Sequence, residues 1–394
     1  MSASAHKAKV VSLGCRLNIA ESEHIRSLVA NENVVVINSC AVTMEAVRQT
    51  RQAIRRARRT RPDARLLVTG CAADIEREQL AAMPEVDGLI ANEAKLDARA
   101  WNVPEPEKTA PSKHTRAFIA VQNGCDHSCT FCVIPQGRGR SRSLTIAEVL
   151  REVESHLAEG APEVVLTGVD VTSWGHDLSG KPPLGELVSA VLETFPQLQR
   201  LRMSSLDGIE IDPLLFELFA GEQRLMPHLH LSLQHGHDLI LKRMKRRHLR
   251  ADAVELVVRL KDRRPDLAIG ADLIAGFPTE NEEHHEANLS IIRELGIVHG
   301  HIFPYSPRPG TPAALMPQVD KPLIKQRAAE LRGEVAAVRE QWLQSLVGKP
   351  LSVLTESDGT GYSQNFARVK LPQAPPAGSI HTVTPTTATK GMLA

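Results

Sequence analysis

The sequence predicts an α/β protein with parallel sheets, followed by a small β-rich domain. Short apolar runs alternate with helical stretches along most of the 394 residues, and this alternation is typical of βα units. A segment that carries Pro and Lys, from Val103 to Lys113, interrupts the alternation and is expected to be a linker. After Gly348 the composition changes to short β-like pieces separated by Gly and Pro, which predicts a small β-barrel.

The apolar runs predict strands in three domains along the chain. An N-terminal α/β domain, residues 1–103, has strand candidates at Lys9 to Leu13, Val34 to Ile37, Leu66 to Val68 and Gly88 to Ala91. A central domain, residues 114–345, has strand candidates at Ala117 to Val121, Val164 to Thr167, Leu201 to Ser204, Leu229 to Leu233, Ala268 to Ile274 and Gly300 to Pro304. A charged amphipathic helix is predicted from Leu323 to Val347. A C-terminal domain, residues 346–394, has strand candidates at Leu351 to Thr355, Phe366 to Leu371 and Ile380 to Val383.

Composition limits the classes of function. The chain has 47 Lys and Arg against 46 Asp and Glu, so its net charge of +1 gives no whole-molecule attraction to nucleic acid. No apolar run approaches the roughly 18 residues of a membrane span. We therefore expect a cytoplasmic protein with no membrane contact, in which six cysteines are more often metal ligands than disulfides.

Positive charge is clustered locally. Arginines dominate a helical pattern between Arg48 and Arg65, a second group follows LQHGHDLI, and a third follows the central cysteines. Arginine-rich helix faces are suited to phosphates, although charge runs are usually only solvated faces. The arginines expected to contact RNA are Arg51, Arg55, Arg59, Arg246 and Arg247, with Arg138, Arg140 and Arg142 forming the third group.

The most informative motif is a CxxxCxxC triplet, Cys125, Cys129 and Cys132, in GCDHSCTFCVIP. Three thiolates at this spacing can hold three corners of a [4Fe–4S] cluster and leave one iron open to a small molecule, whereas electron-transfer clusters take four cysteines. The alternative is a structural zinc site, which requires a fourth Cys or His nearby. His127 lies inside the loop, too close to complete such a site.

Three other cysteines form a second set. Cys15, Cys40 and Cys71 each follow a short apolar run and precede a predicted helix start. Loops that follow neighbouring parallel strands converge at one edge of a sheet. The pattern therefore predicts a second three-cysteine cluster, with buried free thiols as the alternative.

The motifs together resemble a known family. The segments LGCRLNIAESE, INSCAVT, VTGCAA, GCDHSCTFCVIPQGRGRSRS, VVLTGVDVTSWG, LHLSLQHG, ADLIAGFPTE and FPYSPRPGTP occur in the order found in the radical S-adenosylmethionine (SAM) methylthiotransferases. Within that family, RLN after the first cysteine, LTGVDVTSWG and LKRMKRRH are most similar to the branch that modifies N6-threonylcarbamoyladenosine (t6A) at position 37 of tRNA. The resemblance implies that the six central βα repeats form a partial (β/α)6 barrel with its chemistry at the carboxyl ends of the strands.

The resemblance also implies the cofactors and the roles of residues. Two [4Fe–4S] clusters and SAM are expected, with Cys125, Cys129 and Cys132 as the catalytic set and Cys15, Cys40 and Cys71 holding the sulfur-donor cluster. Polar residues and glycine at strand ends are expected to contact SAM. These are Asp170, Ser205, Gln234 and Gly276.

Expected partners follow from the same resemblance. They are the anticodon loop of tRNA with adenine 37, and an electron donor such as flavodoxin or ferredoxin. GYSQNFARVKL resembles part of the TRAM domain, an RNA-binding module.

Other functions stay open at this stage. The sister branches of the family act on isopentenyladenosine in tRNA or on an aspartate of a ribosomal protein, and they share these motifs. Two classes outside the family also use cysteine sets, namely an iron–sulfur electron carrier or scaffold and a non-enzymatic RNA-binding protein.

Overall fold

The computed structural model describes residues 8–104, 115–371 and 375–394. Most of the predicted linker, residues 105–113, lies outside the described residues. The chain divides into two compact units. The first unit comprises Met1–Lys113, Gln122–Ser128 and Cys132–Arg142. The second comprises His114–Val121, Cys129–Phe131 and Ser143–Ala394.

The N-terminal region is built from βα units, as the alternating apolar runs predict. Its elements are β1 (Lys9–Ser12), α1 (Arg16–Leu28), β2 (Val34–Ser39), α2 (Met44–Thr60), β3 (Arg65–Gly70), α3 (Cys71–Ile75), α4 (Arg77–Ala81), β4 (Gly88–Leu89) and α5 (Ala98–Trp101). The four strands form one parallel sheet in the order β1-β2-β3-β4. The predicted fourth strand is shorter than expected, because only two of its residues pair with β3.

Helix α2 shows how sequence periodicity sets one face of this region. Its buried residues are Val47, Thr50, Ile54 and Ala57, which recur at the spacing of one helix face. Thr43 caps the helix by accepting a hydrogen bond from the backbone N–H of Ala46 at 3.1 Å. The arginines of α2 are thereby left on the other faces of the helix.

The central region contains the six predicted barrel strands. Its elements are β5 (Ala117–Ala120), β6 (Gln122–Asn123), α6 (Ile134–Arg138), β7 (Arg142–Ser143), α7 (Ile146–Ala158), β8 (Glu163–Thr167), α8 (Leu184–Thr194), β9 (Arg200–Met203), α9 (Pro213–Gly221), β10 (His228–Gln234), α10 (Asp238–Arg243), α11 (Arg250–Arg263), β11 (Ala268–Ala275), α12 (Glu282–Leu295), β12 (Ile297–Pro304) and α13 (Lys321–Leu346). Short 3₁₀ turns cover Val171–Ser173, Gly208–Glu210 and Pro312–Leu315.

The six strands form one parallel array. β5-β8-β9 and β10-β11-β12 are the two halves. Leu206 joins them, because its N–H donates to the carbonyl of His230 and its carbonyl accepts from the N–H of Ser232, both at 2.8 Å. The helices cover the array, and residues such as Leu166, Leu229 and Ile269 pack into one apolar core with them. The predicted parallel α/β architecture with six βα repeats is confirmed.

The barrel interior is polar at the amino-terminal ends of the strands. The Glu163 carboxylate is fully buried and accepts hydrogen bonds from Arg116 at 2.9 Å and from Arg202 at 2.8 Å, with Arg200 3.6 Å away. The Arg202 guanidinium also lies 4.8 Å from the ring centre of Phe366, a residue of the C-terminal region. The contact between Arg202 and Phe366 thus joins that region to the amino-terminal ends of the barrel strands, within the second unit.

The C-terminal region is a six-stranded sheet. Its strands are β13 (Leu351–Thr355), β14 (Thr360–Ser363), β15 (Arg368–Lys370), β16 (Ile380–Val383), β17 (Ala388–Thr389) and β18 (Met392–Leu393). Their order is β16-β13-β14-β15-β18-β17, antiparallel except for the pair β15 and β18. The end of α13 packs on this sheet through Leu343 and Leu346. The sequence predicted three of these strands and missed the other three, which are four residues long or less.

Candidate active site with two sets of cysteines

The CxxxCxxC loop follows the first barrel strand. Val121 donates its N–H to the carbonyl of Thr167 at 2.9 Å, and the chain then enters the loop that ends at α6. None of these three cysteines takes part in a disulfide, and all three are of intermediate exposure. Cys129 belongs to the second compact unit, whereas Cys125 and Cys132 belong to the first.

Backbone amides surround the sulfur atoms of this loop. The N–H of His127 donates to the Sγ of Cys125, and the N–H of Ile134 donates to the Sγ of Cys132, both at 3.4 Å. Hydrogen bonds to cysteine sulfur stabilise thiolates and tune the reduction potential of iron–sulfur clusters. The surroundings of Cys125 and Cys132 therefore fit thiolate ligands of an iron–sulfur cluster.

Arg246 extends this pattern to the third sulfur. Its Nη1 lies 3.8 Å from the Sγ of Cys129, while its Nη2 donates to Asp207 Oδ2 and to the carbonyl of Ser232, both at 2.8 Å. The Arg246 side chain is 8% exposed. Thr130 anchors the same part of the loop, because its N–H donates to the carbonyl of Met244 at 3.1 Å. A fixed guanidinium thus lies beside the sulfur of Cys129.

The four residues assigned to SAM lie at the carboxyl ends of four barrel strands. Asp170 follows β8, Ser205 follows β9, Gln234 ends β10 and Gly276 follows β11. These strands are parallel neighbours, so their carboxyl ends share one edge, where barrels of this kind hold their ligands. Asp170 accepts a hydrogen bond from the Ser173 hydroxyl at 2.7 Å.

Two of these positions have unusual backbone geometry. Gln234 has φ of 68°, a left-handed conformation that costs a non-glycine residue about 1 kcal/mol or more and is concentrated at ligand sites. Gly276 has φ of 71°, and a Cβ there would lie 2.5 Å from the Cγ1 of Ile324. Its N–H already donates to Glu280 Oε2 at 3.0 Å. Close packing on α13 therefore accounts for the glycine at position 276.

The second set of cysteines lies at the carboxyl ends of β1, β2 and β3. Cys15 caps α1, Cys40 follows the last residue of β2, and Cys71 begins α3 directly after β3. Gly14 has φ of 100°, and a Cβ at this position would lie 3.0 Å from the Sγ of Cys40. The first cysteine loop is thus in close contact with the second.

The thiols of this set are close enough to interact. Burial, with smaller contributions from the thiols of Cys71 and Cys15, raises the pKa of Cys40 to about 11. Burial also raises the pKa of Cys71, which Arg138 and Lys95 oppose. Because the three cysteines follow neighbouring strands of one parallel sheet, they fit a second cluster with three thiolate ligands.

Charged side chains lie buried next to the second set. Glu21 Oε2 lies 2.6 Å from Lys95 Nζ, and Glu21 Oε1 lies 2.8 Å from Arg138 Nη1. Burial alone would raise the pKa of Glu21, but the two cations hold it below its usual value. Arg138 also donates to Asn18 Oδ1 at 2.5 Å, and Asn38 Oδ1 lies 3.5 Å from Lys95 Nζ. We call Glu21, Lys95 and Arg138 the buried charge triad.

The arginines assigned to RNA have different surroundings. On α2, Arg51 pairs with Glu76 at 3.0 Å and Arg55 with Glu85 at 4.0 Å, and Arg59 is exposed. Arg247 is 44% exposed and pairs with Glu210 at 2.5 Å.

Two further basic residues from these clusters are not on the surface. Arg246 is 8% exposed and Arg138 is 3% exposed, and both are held by carboxylates of the same unit. The structure therefore buries both side chains, and it places that of Arg246 beside the sulfur of Cys129.

Sequence reasoning missed the buried charge triad. Glu21 and Lys95 are 74 positions apart, and no local pattern links them. One signal was present in the motif LGCRLNIAESE, where Asn18 and Glu21 follow Cys15 at the spacing of one helix face. Arg138 was recognised only as part of a basic cluster.

Comparisons with known proteins agree with this architecture. The model of the Radical SAM superfamily matches residues 119–290, and that of the uncharacterized protein family UPF0004 matches residues 7–91. The radical SAM methyltransferase TsrM from Kitasatospora setae has a similar fold, with a TM-score of 0.54, 15% identity and coverage of 81% of this chain and 80% of that chain.

Two curated relatives cover nearly the whole chain. The threonylcarbamoyladenosine tRNA methylthiotransferase MtaB of Rickettsia prowazekii (strain Madrid E) is 44% identical over 384 residues, which is 93% of this chain and 91% of that protein. The tRNA-2-methylthio-N(6)-dimethylallyladenosine synthase of Orientia tsutsugamushi (strain Boryong) is 31% identical, over 89% of this chain and 87% of that protein.

The fold and the two cysteine sets define an iron–sulfur enzyme of the radical SAM superfamily. Within it, the chain belongs to the methylthiotransferase family that contains MtaB. Its cofactors are SAM and [4Fe–4S] clusters. In the part of the chain that the structure describes, no helix combines the length and the hydropathy needed to span a bilayer.

Proposed function

We propose that this chain is a tRNA methylthiotransferase that adds a methylthio group to C2 of t6A at position 37. The observation that carries the proposal is the 44% identity, across 93% of the chain, to a protein named for threonylcarbamoyladenosine tRNA methylthiotransfer. The Radical SAM model matches residues 119–290 and the UPF0004 model residues 7–91, so each cysteine set lies within a region that a family model matches, and both sets follow parallel strands. An electron carrier or a purely RNA-binding protein has no use for such a barrel.

In this proposal each cysteine set has its own task. Cys125, Cys129 and Cys132 hold the cluster that SAM completes, and Cys15, Cys40 and Cys71 hold the sulfur-donor cluster. When bound, these groups supply one-electron reduction of SAM, hydrogen removal at an unactivated carbon and the transferred sulfur. The protein supplies binding, orientation and exclusion of water.

The barrel edge is the proposed SAM site. The carboxylate of Asp170 and the side chains of Ser205 and Gln234 offer polar groups for the amino group, the ribose and the adenine. Gly276 contributes through the shape of its turn, because its N–H is already bonded to Glu280.

Adenine 37 is proposed to reach this edge from a single-stranded loop. A base in the anticodon loop is less firmly stacked than a base in a duplex, so extruding it costs less free energy. Arg51, Arg55, Arg59 and Arg247 are the exposed or half-exposed arginines proposed to meet phosphates.

The C-terminal sheet is proposed to act as a TRAM-like RNA-binding domain, residues 346–394. Residues 1–103 and 114–345 are the proposed methylthiotransferase and radical SAM domains. An electron donor of the flavodoxin or ferredoxin type is the proposed reductant, and the proposed tRNA substrate places the reaction in the cytoplasm.

A second candidate substrate has support from a specific relative. The dimethylallyladenosine synthase of Orientia tsutsugamushi is 31% identical, against 44% for the MtaB protein of Rickettsia prowazekii. The larger identity favours t6A. A ribosomal-protein aspartate is the third alternative within the family.

Mass spectrometry of tRNA nucleosides tests the substrate. Cells that lack the gene are expected to accumulate t6A without its methylthio derivative, while isopentenyladenosine derivatives stay unchanged. Restoring the gene is the control. Loss of a methylthio group from isopentenyladenosine instead, or unchanged tRNA nucleosides, would overturn the proposal.

A further inference from the structure

The buried charge triad has an imbalance of charge. It contains two cations and one carboxylate, and the side chains of Glu21, Lys95 and Arg138 are 1%, 1% and 3% exposed. Among the described residues, no second carboxylate lies within ion-pairing distance of Lys95 or Arg138. Asn18 and Asn38 accept hydrogen bonds from these cations but bring no charge. One positive charge is therefore left over.

An uncompensated buried charge is unfavourable. A buried ion that lacks a partner of opposite charge destabilises a protein by several kcal/mol, so buried charges are normally balanced. Arg138 cannot lose its proton in a protein. Burial lowers the pKa of Lys95, so a negative group close by is needed to keep both cations charged.

The second cysteine set can provide that group. Asn18 Oδ1 accepts a hydrogen bond from Arg138 at 2.5 Å and lies 4.0 Å from the Sγ of Cys15, so the triad adjoins this set. The positive charges of Arg138 and Lys95 also oppose the rise in the pKa of Cys71 that burial causes. An oxidised [4Fe–4S] core is dicationic, so three thiolate ligands leave the assembly with one net negative charge. The surplus charge of the triad and the net charge of the cluster are equal and opposite.

We propose that Lys95, Arg138 and Glu21 are positioning residues that balance the charge of the cluster on Cys15, Cys40 and Cys71 and set its reduction potential. This inference rests on the proposed assignment of a cluster to these cysteines. Lys95 adds the surplus charge, because Glu21 and Arg138 alone form a neutral pair. Glu21 limits the surplus to one charge.

The test uses the full chain with Cys125, Cys129 and Cys132 changed to Ala, so that only the second set can bind a cluster. In this parent, Lys95→Met removes a positive charge and Glu21→Gln removes a negative charge, with little change of size in either case. Lys95→Arg keeps the charge. Arg99 belongs to the same unit and is 90% exposed. Arg99→Met therefore controls for the loss of a positive charge at the protein surface.

Two readouts distinguish charge balance from simple packing. In anaerobic redox titration, Lys95→Met is expected to shift the midpoint potential to more negative values and Glu21→Gln to more positive values, with Lys95→Arg and Arg99→Met near the parent. Iron loss to a chelator is expected to be roughly tenfold faster in Lys95→Met than in Lys95→Arg.

The outcomes separate this inference from the proposed function. A parent that binds no iron would overturn the cluster assignment and the charge balance together. A parent that binds about four irons but shows shifts of the same sign, or none, in Lys95→Met and Glu21→Gln would overturn only the charge balance. If Glu21→Gln fails to fold, the shift in Lys95→Met relative to Lys95→Arg decides the question.

Discussion

Arg246 and Cys129 are in contact, with the guanidinium Nη1 3.8 Å from the cysteine sulfur. The same guanidinium is fixed by Asp207 and by the carbonyl of Ser232. A cation held beside a ligand sulfur stabilises the more negative, reduced form of a cluster. Arg246, a residue of the barrel, would therefore favour the reduced form of the cluster proposed on Cys125, Cys129 and Cys132.

Arg246→Leu is expected to lower SAM cleavage by roughly tenfold, because second-sphere partners of metal ligands typically contribute this much. The midpoint potential of the cluster is expected to become more negative. Arg246→Lys is expected to lose less SAM cleavage than Arg246→Leu and to shift the midpoint potential less. The measurements are 5′-deoxyadenosine formation under reducing conditions and redox titration.

Arg247→Leu is the matched control for Arg246→Leu. Arg247 also contacts Asp207, at 3.1 Å, but is 44% exposed. Equal losses in the two variants would show that Arg246 acts only through Asp207 and the fold.

The iron content tests the number of clusters. Anaerobically reconstituted protein is expected to bind about eight irons per chain, because each of the two sets of three cysteines is proposed to hold a [4Fe–4S] cluster. Cys129→Ala is expected to lose about four of them. Full retention of iron in that variant, or zinc in place of iron, would contradict the assignment.

The two cysteine sets are expected to separate functionally. Cys40→Ala is expected to cleave SAM to 5′-deoxyadenosine but to form no methylthio product, since only the sulfur-donor cluster is lost. Cys132→Ala is expected to do neither. Both reactions are followed by chromatography with tRNA as substrate. Methylthiolation by Cys40→Ala, or loss of SAM cleavage in a variant whose CxxxCxxC cluster is intact by spectroscopy, would refute this division.

RNA binding is expected to depend on the arginine face of α2. Changing Arg51, Arg55 and Arg59 together to Glu is expected to weaken tRNA binding. The slope of the logarithm of the binding constant against the logarithm of salt concentration is expected to become shallower by roughly 0.7 to 0.9 per lost phosphate contact. The measurement is the dissociation constant at several salt concentrations.

A matched set of arginines lies on α11 and α12. Arg259, Arg263 and Arg293 are 59%, 54% and 46% exposed and each pairs with a glutamate, as Arg51 and Arg55 do. Changing these three to Glu controls for net charge. An equal decrease in the salt dependence of tRNA binding in both triple variants would show that the arginines of α2 have no special role in binding tRNA.

Glu163 is expected to stabilise the barrel. Glu163→Gln removes the charge that pairs with buried Arg116 and Arg202, and leaving buried cations without a partner costs about 3 kcal/mol or more. Glu217→Gln, at a 59% exposed ion pair, is expected to cost less than about 0.5 kcal/mol. Urea unfolding compares the two, and equal costs would contradict the prediction.

The same carboxylate predicts a pH dependence. Burial alone would raise the pKa of Glu163, but Arg202 and Arg116 lower it to about 2. Since this folded-state pKa lies below the unfolded value of about 4, the stabilisation is present above about pH 4 and is lost as the pH falls toward about 2. Glu163→Gln is expected to lack this part of the acid transition.

The sequence by itself determined the order of the elements and the two sets of cysteines. Apolar runs and helical periodicity are local properties, so the barrel strands and the buried face of α2 were predictable. The spacing of Cys125, Cys129 and Cys132 is also local, and the strand-to-loop positions of Cys15, Cys40 and Cys71 predicted their shared sheet edge. The three short C-terminal strands were missed, because strands of two to four residues give little periodic signal.

Only the tertiary structure decided what each charged residue does. Arg246 and Arg247 are adjacent in sequence, yet the first lies buried beside the sulfur of Cys129 and the second is half exposed. Glu21 meets Lys95 and Arg138 across 74 and 117 positions of chain. Burial and long-range pairing depend on how the strands and helices pack, and a charge in a sequence looks the same whether it later faces water or a buried sulfur.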